Sequence, residues 1–243
     1  LTDTIDSSAI AAVLFDKDGT LIGYDASWGP INREIGRIAS AGDPVLADRL
    51  LAACGMDLAT GNILPDSLLA AGTAAEIAEG LIAAGADAKL DDLTKQLDQL
   101  FTDAAGDSVP VTDLKAYFTR LKQRGYRLGI ASSDNEASIR ELARRFDFAH
   151  LLDYVAGYDS GHGGKPGPGM VLGFCKLLGI SAQQVAVVGD NNHDLTMAKS
   201  AGAGLRIGVL TGTGSKASLS ADAHYCLESI TDLEPILPQI AAA

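Results

Sequence analysis

The chain has 243 residues and a formal charge of −12, and is 47% hydrophobic but only 5% aromatic. Such an acidic protein is a poor partner for nucleic acid or an anionic membrane, and no apolar run approaches the length of a bilayer span. Its core must be built from Ala, Leu, Ile and Val, and an anionic substrate must be met by cations placed locally.

The stretch Leu1–Asp6 is acidic and has neither the basic end nor the apolar run of a signal peptide. Cys54, Cys175 and Cys226 lie far apart with no C-x-x-C pair, which fits small core residues in a reducing compartment. The expected location is cytoplasmic. The first periodic element is Ala11–Phe15, five apolar residues that stop at Asp16-Lys17-Asp18-Gly19-Thr20-Leu21. That pattern predicts a fully buried strand whose C-terminal end surfaces. In extended chain Asp16 and Asp18 start on one face and Lys17 on the other. Adjacent carboxylates repel, and a proton or a hard cation relieves them. Gly19 lets the backbone turn and leaves room for a close approach.

Ile22–Pro30, with two glycines and a proline, reads as a hinge loop. From Ile31 to about Asp107 the apolar residues take helical spacing: Leu46, Leu50 and Ala53, then Ile77, Leu81 and Ile82, then Leu90, Leu93, Leu97 and Leu100-Phe101. Gly55, Gly85 and Gly106 stand where helices should stop. This acidic helical insert has five cations, Arg33, Arg37, Arg49, Lys89 and Lys95, which read mainly as solvated helix faces.

Strand–helix alternation resumes at Val109-Pro110-Val111. A helix capped by Thr112 is expected to end at Gly125, followed by a strand at Arg127–Ala131 and the polar run Ser132-Ser133-Asp134-Asn135. A helix with Ile139, Leu142, Ala143 and Phe146 inward follows, then a strand at Tyr154–Ala156 and a glycine-rich loop holding Lys165-Pro166. Pro168 opens another helix, with Gly179 past its end. Further strands are predicted at Val185–Gly189, Leu205–Val209 and, more weakly, Ala223–Cys226, with a last helix near Ile230–Ile240. Continuous apolar strands alternating with helices define an α/β fold, a parallel sheet covered on both faces.

In open parallel sheets ligands bind at the carboxyl ends of the strands, and the polar clusters fall there: Asp16/Asp18, Ser132-Ser133, Lys165 and Asp190/Asp194. Together they supply a carboxylate nucleophile, a second acid, hydroxyl and amide donors for phosphate oxygens, a lysine, and ligands for a hard metal. Competing motifs fail. Gly163-Gly164-Lys165 lacks the Ser/Thr of a Walker loop, Gly212-Thr213-Gly214 lacks the register of a dinucleotide fingerprint, and the four histidines lack zinc-ligand spacing. His193 reads as a positioned loop residue.

The motifs Asp16-Lys17-Asp18-Gly19-Thr20-Leu21, Ser132, Lys165-Pro166 and Gly189-Asp190-Asn191-Asn192-His193-Asp194, in that order, resemble the haloacid dehalogenase-like superfamily, and within it the phosphoglycolate phosphatase-type enzymes. The resemblance covers residues 11–24 and 110–210. It implies a Rossmann-like core (1–24 and 109–243) with a helical cap inserted between the first and second motifs (25–108). It further implies Mg²⁺-dependent hydrolysis of a small phosphorylated metabolite through an aspartyl-phosphate. Asp16 would be the nucleophile and Asp18 the general acid and base. Ser132 would bind the phosphoryl group with Ser133 and Gly19, and Lys165 would bridge Asp16 and phosphate. Mg²⁺ would be held by Asp16, the Asp18 carbonyl, Asp190 and Asp194. Asp25 follows Ile22-Gly23-Tyr24 instead of standing close to Leu21, and Ser133 replaces a frequent asparagine. A phosphomutase on the same core, or a non-catalytic phosphometabolite-binding module, remains an alternative at this point. The protein is expected to act as a monomer or homodimer.

Overall fold

The computed structural model describes residues 9–237 and 239–240. Six parallel strands form one sheet: β1 (Ala12–Phe15), β2 (Arg127–Ala131), β3 (Tyr154–Ala156), β4 (Val185–Gly189), β5 (Leu205–Val209) and β6 (Tyr225–Leu227). Their spatial order is β3-β2-β1-β4-β5-β6. The first strand is therefore central and the chain winds outward from it on both sides, which makes its carboxyl end the topological switch point. Alternate residues of β1 feed two different cores. Val13 and Phe15 pack with Tyr117, Phe118, Leu121, Ile139 and Leu142, from α6 (Leu114–Gln123) and α7 (Glu136–Arg145). Ala12 and Leu14 pack with Met170, Phe174 and Met197, from α8 (Gly169–Leu178) and α9 (Asn192–Ala201). Burial on both faces explains the unbroken apolar run.

Register sets the site. Phe15 pairs with Ile130 on one side and Val188 on the other, so Asp16 lies level with Ala131 and Gly189. The next residues of those strands are Ser132 and Asp190, and both emerge beside it.

The insert between β1 and α6 holds α1 (Tyr24–Ala39), α2 (Pro44–Ala53), α3 (Leu68–Ala71), α4 (Ala74–Ala83) and α5 (Leu90–Ala104). These helices form a cap with its own apolar core, centred on Ile35, Leu50, Ile77, Leu81, Leu93, Leu97 and Phe101. The chain leaves and re-enters the core through two segments that run side by side. The Gly23 amide bonds the Val109 carbonyl at 2.9 Å and the Val111 amide bonds the Leu21 carbonyl at 3.0 Å.

Three sequence expectations need correction. Residues 22–30 are not a hinge loop, because α1 begins at Tyr24 and runs through Pro30. The proline deprives only the Ala26 carbonyl of its helical donor, and both residues are exposed to water. Tyr24 and Trp28, both buried, stack one turn apart at 5.9 Å, and Trp28 packs edge-on against Phe101, which holds the helix together. Helix α6 is capped by Asp113, whose carboxylate accepts from the Ala116 amide at 3.0 Å, and not by Thr112. The last helix is replaced by a 3₁₀ turn at Ile230–Asp232 and successive turns to Leu237. Pro235 has no amide to donate, and the Arg124 guanidinium takes the carbonyls of Glu234 and Leu237 instead. Part of the expected span, residue 238, lies outside the described residues.

Candidate active site

Asp16 is the first residue past β1 and is buried. Its Oδ1 accepts a hydrogen bond from Lys165 Nζ at 2.5 Å, and the same ammonium reaches Asp194 Oδ1 at 2.6 Å. Lys165 arrives from the loop before α8 and its side chain is 3% exposed, so this lysine is a fixed counter-charge and not a mobile loop cation. Burial alone would lower its pKa, but Asp16 and Asp194 outweigh burial and hold it above the ordinary lysine value.

Asp190 follows β4, and Asp194 lies in the first turn of α9. Carboxylate oxygens of Asp16, Asp190 and Asp194 lie within 4.8 Å of one another, and all three residues are buried. The Asp18 carboxylate is not part of that group. Three buried carboxylates stand beside a single lysine that bonds only Asp16 and Asp194, which leaves an excess of negative charge surrounded by hard oxygen donors. This donor set fits a small divalent cation such as Mg²⁺ and no soft metal. Burial, then repulsion from Asp16 and Asp194, raises the Asp190 pKa well above the carboxylate range. Asp16 is pushed up to about 6 by burial, opposed by Lys165 and reinforced by Asp194.

The backbone around Asp190 is glycine-dependent. Gly19 has φ +80°, and a Cβ there would stand 2.6 Å from the Asp190 carboxyl carbon. The close approach foreseen at Gly19 is thus made by Asp190, while the Gly19 amide is engaged by the Ile22 carbonyl at 2.8 Å. The Gly212-Thr213-Gly214 loop wraps the other side: the Thr213 amide donates to Asp190 Oδ2 at 2.8 Å, and a Cβ on Gly212 would meet that oxygen at 1.9 Å.

Asp18 is held by a second charge network that the sequence did not reveal. Its Oδ1 accepts from Lys17 Nζ at 2.7 Å and from the Trp28 indole N–H, on the cap, at 2.6 Å. Lys17 also pairs with Asp134 Oδ2 at 3.0 Å, and Asp134 accepts from the Ser138 hydroxyl at 2.6 Å. Burial pushes Asp18 up to about 6, with Lys17 opposing and Asp134 and Asp16 reinforcing. Strand alternation set Lys17 on the face opposite Asp16 and Asp18, but the strand ends at Phe15 and the Lys17 ammonium comes round to the Asp18 carboxylate. That Lys17 is buried and shared between Asp18 and Asp134 became visible only in three dimensions. Ser132 is buried, with its Oγ accepting from the Asp134 amide at 3.1 Å. Ser132, Ser133, Asp16, Asp18, Lys165, Asp190, Asp194 and His193 all line one cavity beneath the cap.

A haloacid dehalogenase-like hydrolase family profile matches residues 10–202, and the chain belongs to that family of hydrolases. Among curated relatives, it is 34% identical over 113 residues to the phosphoglycolate phosphatase of Neisseria gonorrhoeae, covering 46% of this chain and 48% of that one. It is 40% identical over 101 residues to the probable phosphatase IndB of Dickeya dadantii, covering 42% and 44%. The chain thus spans about half the length of the curated relatives it matches. The fold is shared with a haloacid dehalogenase-like protein from Bacteroides fragilis (TM-score 0.72, 20% identity, 92% of this chain and 99% of that one). It is also shared with CbbY from Rhodobacter sphaeroides in complex with phosphate (TM-score 0.67, 19% identity, 93% and 96%). Among the described residues no helix is long and apolar enough to cross a membrane.

Proposed function

We propose that the protein hydrolyses a small phosphomonoester of phosphoglycolate type in two steps through an aspartyl-phosphate on Asp16. Residues 25–108 would serve as the cap over a core of 1–24 and 109–243. The observation that carries the reading is the pinning of a buried Asp16 by Lys165, inside a carboxylate cluster at the switch point of the sheet. In the first step Asp16 attacks phosphorus through the oxygen not bonded to Lys165. The new O–P bond forms as the ester P–O bond breaks, and Asp18 passes its proton to the departing alkoxide. A carboxyl raised to about 6 keeps a protonated fraction near neutral pH, as a general acid requires. In the second step Asp18 takes a proton from water, the water oxygen attacks phosphorus, and the aspartyl bond breaks to release inorganic phosphate.

Lys165 offsets charge on Asp16 and the phosphoryl oxygens, and Ser132 with Ser133 orients the transferring group. Asp16, Asp190 and Asp194, with the Asp18 main-chain carbonyl, would hold Mg²⁺, which when bound supplies charge neutralisation for the phosphoryl group. The Trp28 indole keeps the Asp18 carboxyl directed into the site. The test is release of phosphate from p-nitrophenyl phosphate with Mg²⁺ and with EDTA, for the wild type and Asp16→Asn. Metal-dependent turnover that falls more than about a hundredfold in the variant is expected, since the amide keeps the shape and loses the nucleophile. Turnover that survives the substitution, with deamidation excluded by mass spectrometry, would overturn the assignment.

A further inference from the structure

The cap's contribution to the cavity has a definite chemistry. The lining side chains Ile77 and Phe101 and the segment Leu69–Gly72 are apolar or small. The two lining cap residues with polar atoms have them engaged: the Tyr24 hydroxyl donates to the Leu69 carbonyl and the Trp28 indole to Asp18. Backbone donors of the segment are spent as well. Leu69 N–H bonds the Cys54 carbonyl, Ala70 and Ala71 the Ser67 carbonyl, and Gly72 the Leu68 carbonyl.

None of the five cap cations reaches the cavity. Arg33 and Arg37 line a separate groove between α1 and α2, and Lys95 lies near Asp98 and Asn135. Arg49 and Lys89 are exposed, with the Arg49 guanidinium against Gly85. Among the described residues Lys165 is therefore the one lysine or arginine lining the cavity, and it is shared by Asp16 and Asp194, with Asp18, Asp134 and Asp190 also on the wall. With Lys165 taken by Asp16 and Asp194, and Ser132 and Ser133 assigned to the phosphoryl group, a second anionic group on the substrate would be buried among carboxylates with no counter-charge of its own, which is strongly unfavourable. The cavity measures ≈ 40 Å³, room for about three waters at roughly 10–15 Å³ each on this measure. Beyond Ser132, Ser133 and the carboxylates already assigned to the phosphoryl group and metal, one lining side chain has an unused polar atom: His193 Nδ1 is buried without a hydrogen-bond partner among the described residues.

From this we infer that the alcohol half of the substrate is small, uncharged and largely apolar, seated between Trp28, Ile77, Phe101 and Leu69–Gly72. At most one neutral polar group is met, by His193. The inference rests on the phosphomonoesterase part of that reading and departs from its phosphoglycolate-type part, because a leaving group bearing a carboxylate, such as glycolate, is disfavoured. Ala70 and Ala71, half-buried on the wall, mark where a cation would have to stand to reverse that preference.

The experiment compares kcat/KM for n-propyl phosphate and phosphoglycolate, both primary alkyl esters, in the wild type and in Ala71→Arg, with p-nitrophenyl phosphate as the turnover control. The wild type is expected to favour propyl phosphate at least about tenfold, on the order of the 1.4 kcal/mol that a tenfold ratio represents. Ala71→Arg is expected to shift the ratio toward phosphoglycolate by about tenfold or more. Wild-type enzyme that turns over the control and takes phosphoglycolate as well as propyl phosphate overturns the inference and leaves the phosphatase reading standing. An unchanged ratio in a folded, active Ala71→Arg overturns the assigned seat. Absence of phosphate release from every ester overturns the phosphatase reading itself, and this inference with it.

Discussion

Replacing Asp190 with asparagine should stabilise the metal-free protein, and the gain should grow with pH. Asp190 is buried with Asp16 and Asp194, their oxygens within 4.8 Å. At an effective dielectric constant of about 20, two unit charges at that distance repel by roughly 3.5 kcal/mol. Two such repulsions are opposed by one attraction of the same order from Lys165, so the net is about one repulsion. Allowing for water entering an empty site, a gain of about 2–3 kcal/mol remains. For a chain of this size that moves the apparent melting point by roughly 4–12 °C. The amide oxygen can still accept from the Thr213 amide, which donates to Asp190 at 2.8 Å. The sign follows from linkage. The folded-state pKa of Asp190 is raised above its unfolded value, so the folded protein binds the extra proton. Its stability is then fully present at low pH and is lost as pH climbs through the raised value. Asparagine cannot undergo that loss. Thermal and urea unfolding in EDTA between about pH 4, near the unfolded carboxyl value of about 3.9, and pH 8 should therefore show the two proteins converging at the acid end and separating at the alkaline end. In saturating Mg²⁺ the order should reverse, since the wild type alone keeps the charged ligand that binding stabilises. A variant less stable than wild type in EDTA at pH 8, or a gain independent of pH, would refute the electrostatic account of the cluster.

Asp18→Ala should lose most activity on alkyl phosphates, whose leaving alcohols need a proton. On p-nitrophenyl phosphate it should give a burst of about one nitrophenol per site and then stall, with phosphate trapped on Asp16; equal slowing of both substrates without a burst would remove its two-step role. Lys165→Ala should lower kcat and not merely raise KM, because the ammonium sits 2.5 Å from Asp16, the proposed nucleophile, and added Mg²⁺ should restore little; steady-state kinetics over a metal titration decide this. Gly19→Ala should raise the Mg²⁺ midpoint by about tenfold or more, because its Cβ would stand 2.6 Å from the Asp190 carboxyl carbon on a backbone of positive φ. An unchanged midpoint by activity titration or calorimetry would show that this approach does not shape the metal ligands.

What the amino-acid order determined by itself was the sheet and the placement of its polar ends. The runs Val13–Phe15, Leu128–Ala131 and Val185–Gly189 are apolar because both faces of each strand are covered, and Leu205–Val209 is broken only by the half-buried Arg206, so burial on both faces is written locally. Asp16, Ser132 and Asp190 stop those runs, so their arrival at one edge was legible once the strands were taken as parallel. Local pattern was weaker where tertiary burial overrides it, as at Pro30, which stays helical because Tyr24 and Trp28 are buried and Trp28 packs against Phe101. Partner choice was not legible in local pattern, and the Lys165–Asp16 pairing was expected only from the family resemblance. Lys165 and Asp16 are 149 residues apart, and whether that lysine is a free loop cation or a buried counter-ion depends on how the loop folds over the sheet. The same holds for Lys17 with Asp134 and for Trp28 with Asp18. Only the closed tertiary structure decided that the cap's arginines and lysines stay off the cavity wall. Charge composition counts cations without saying which side of a helix faces the substrate, and that is settled by which stripe the cap buries.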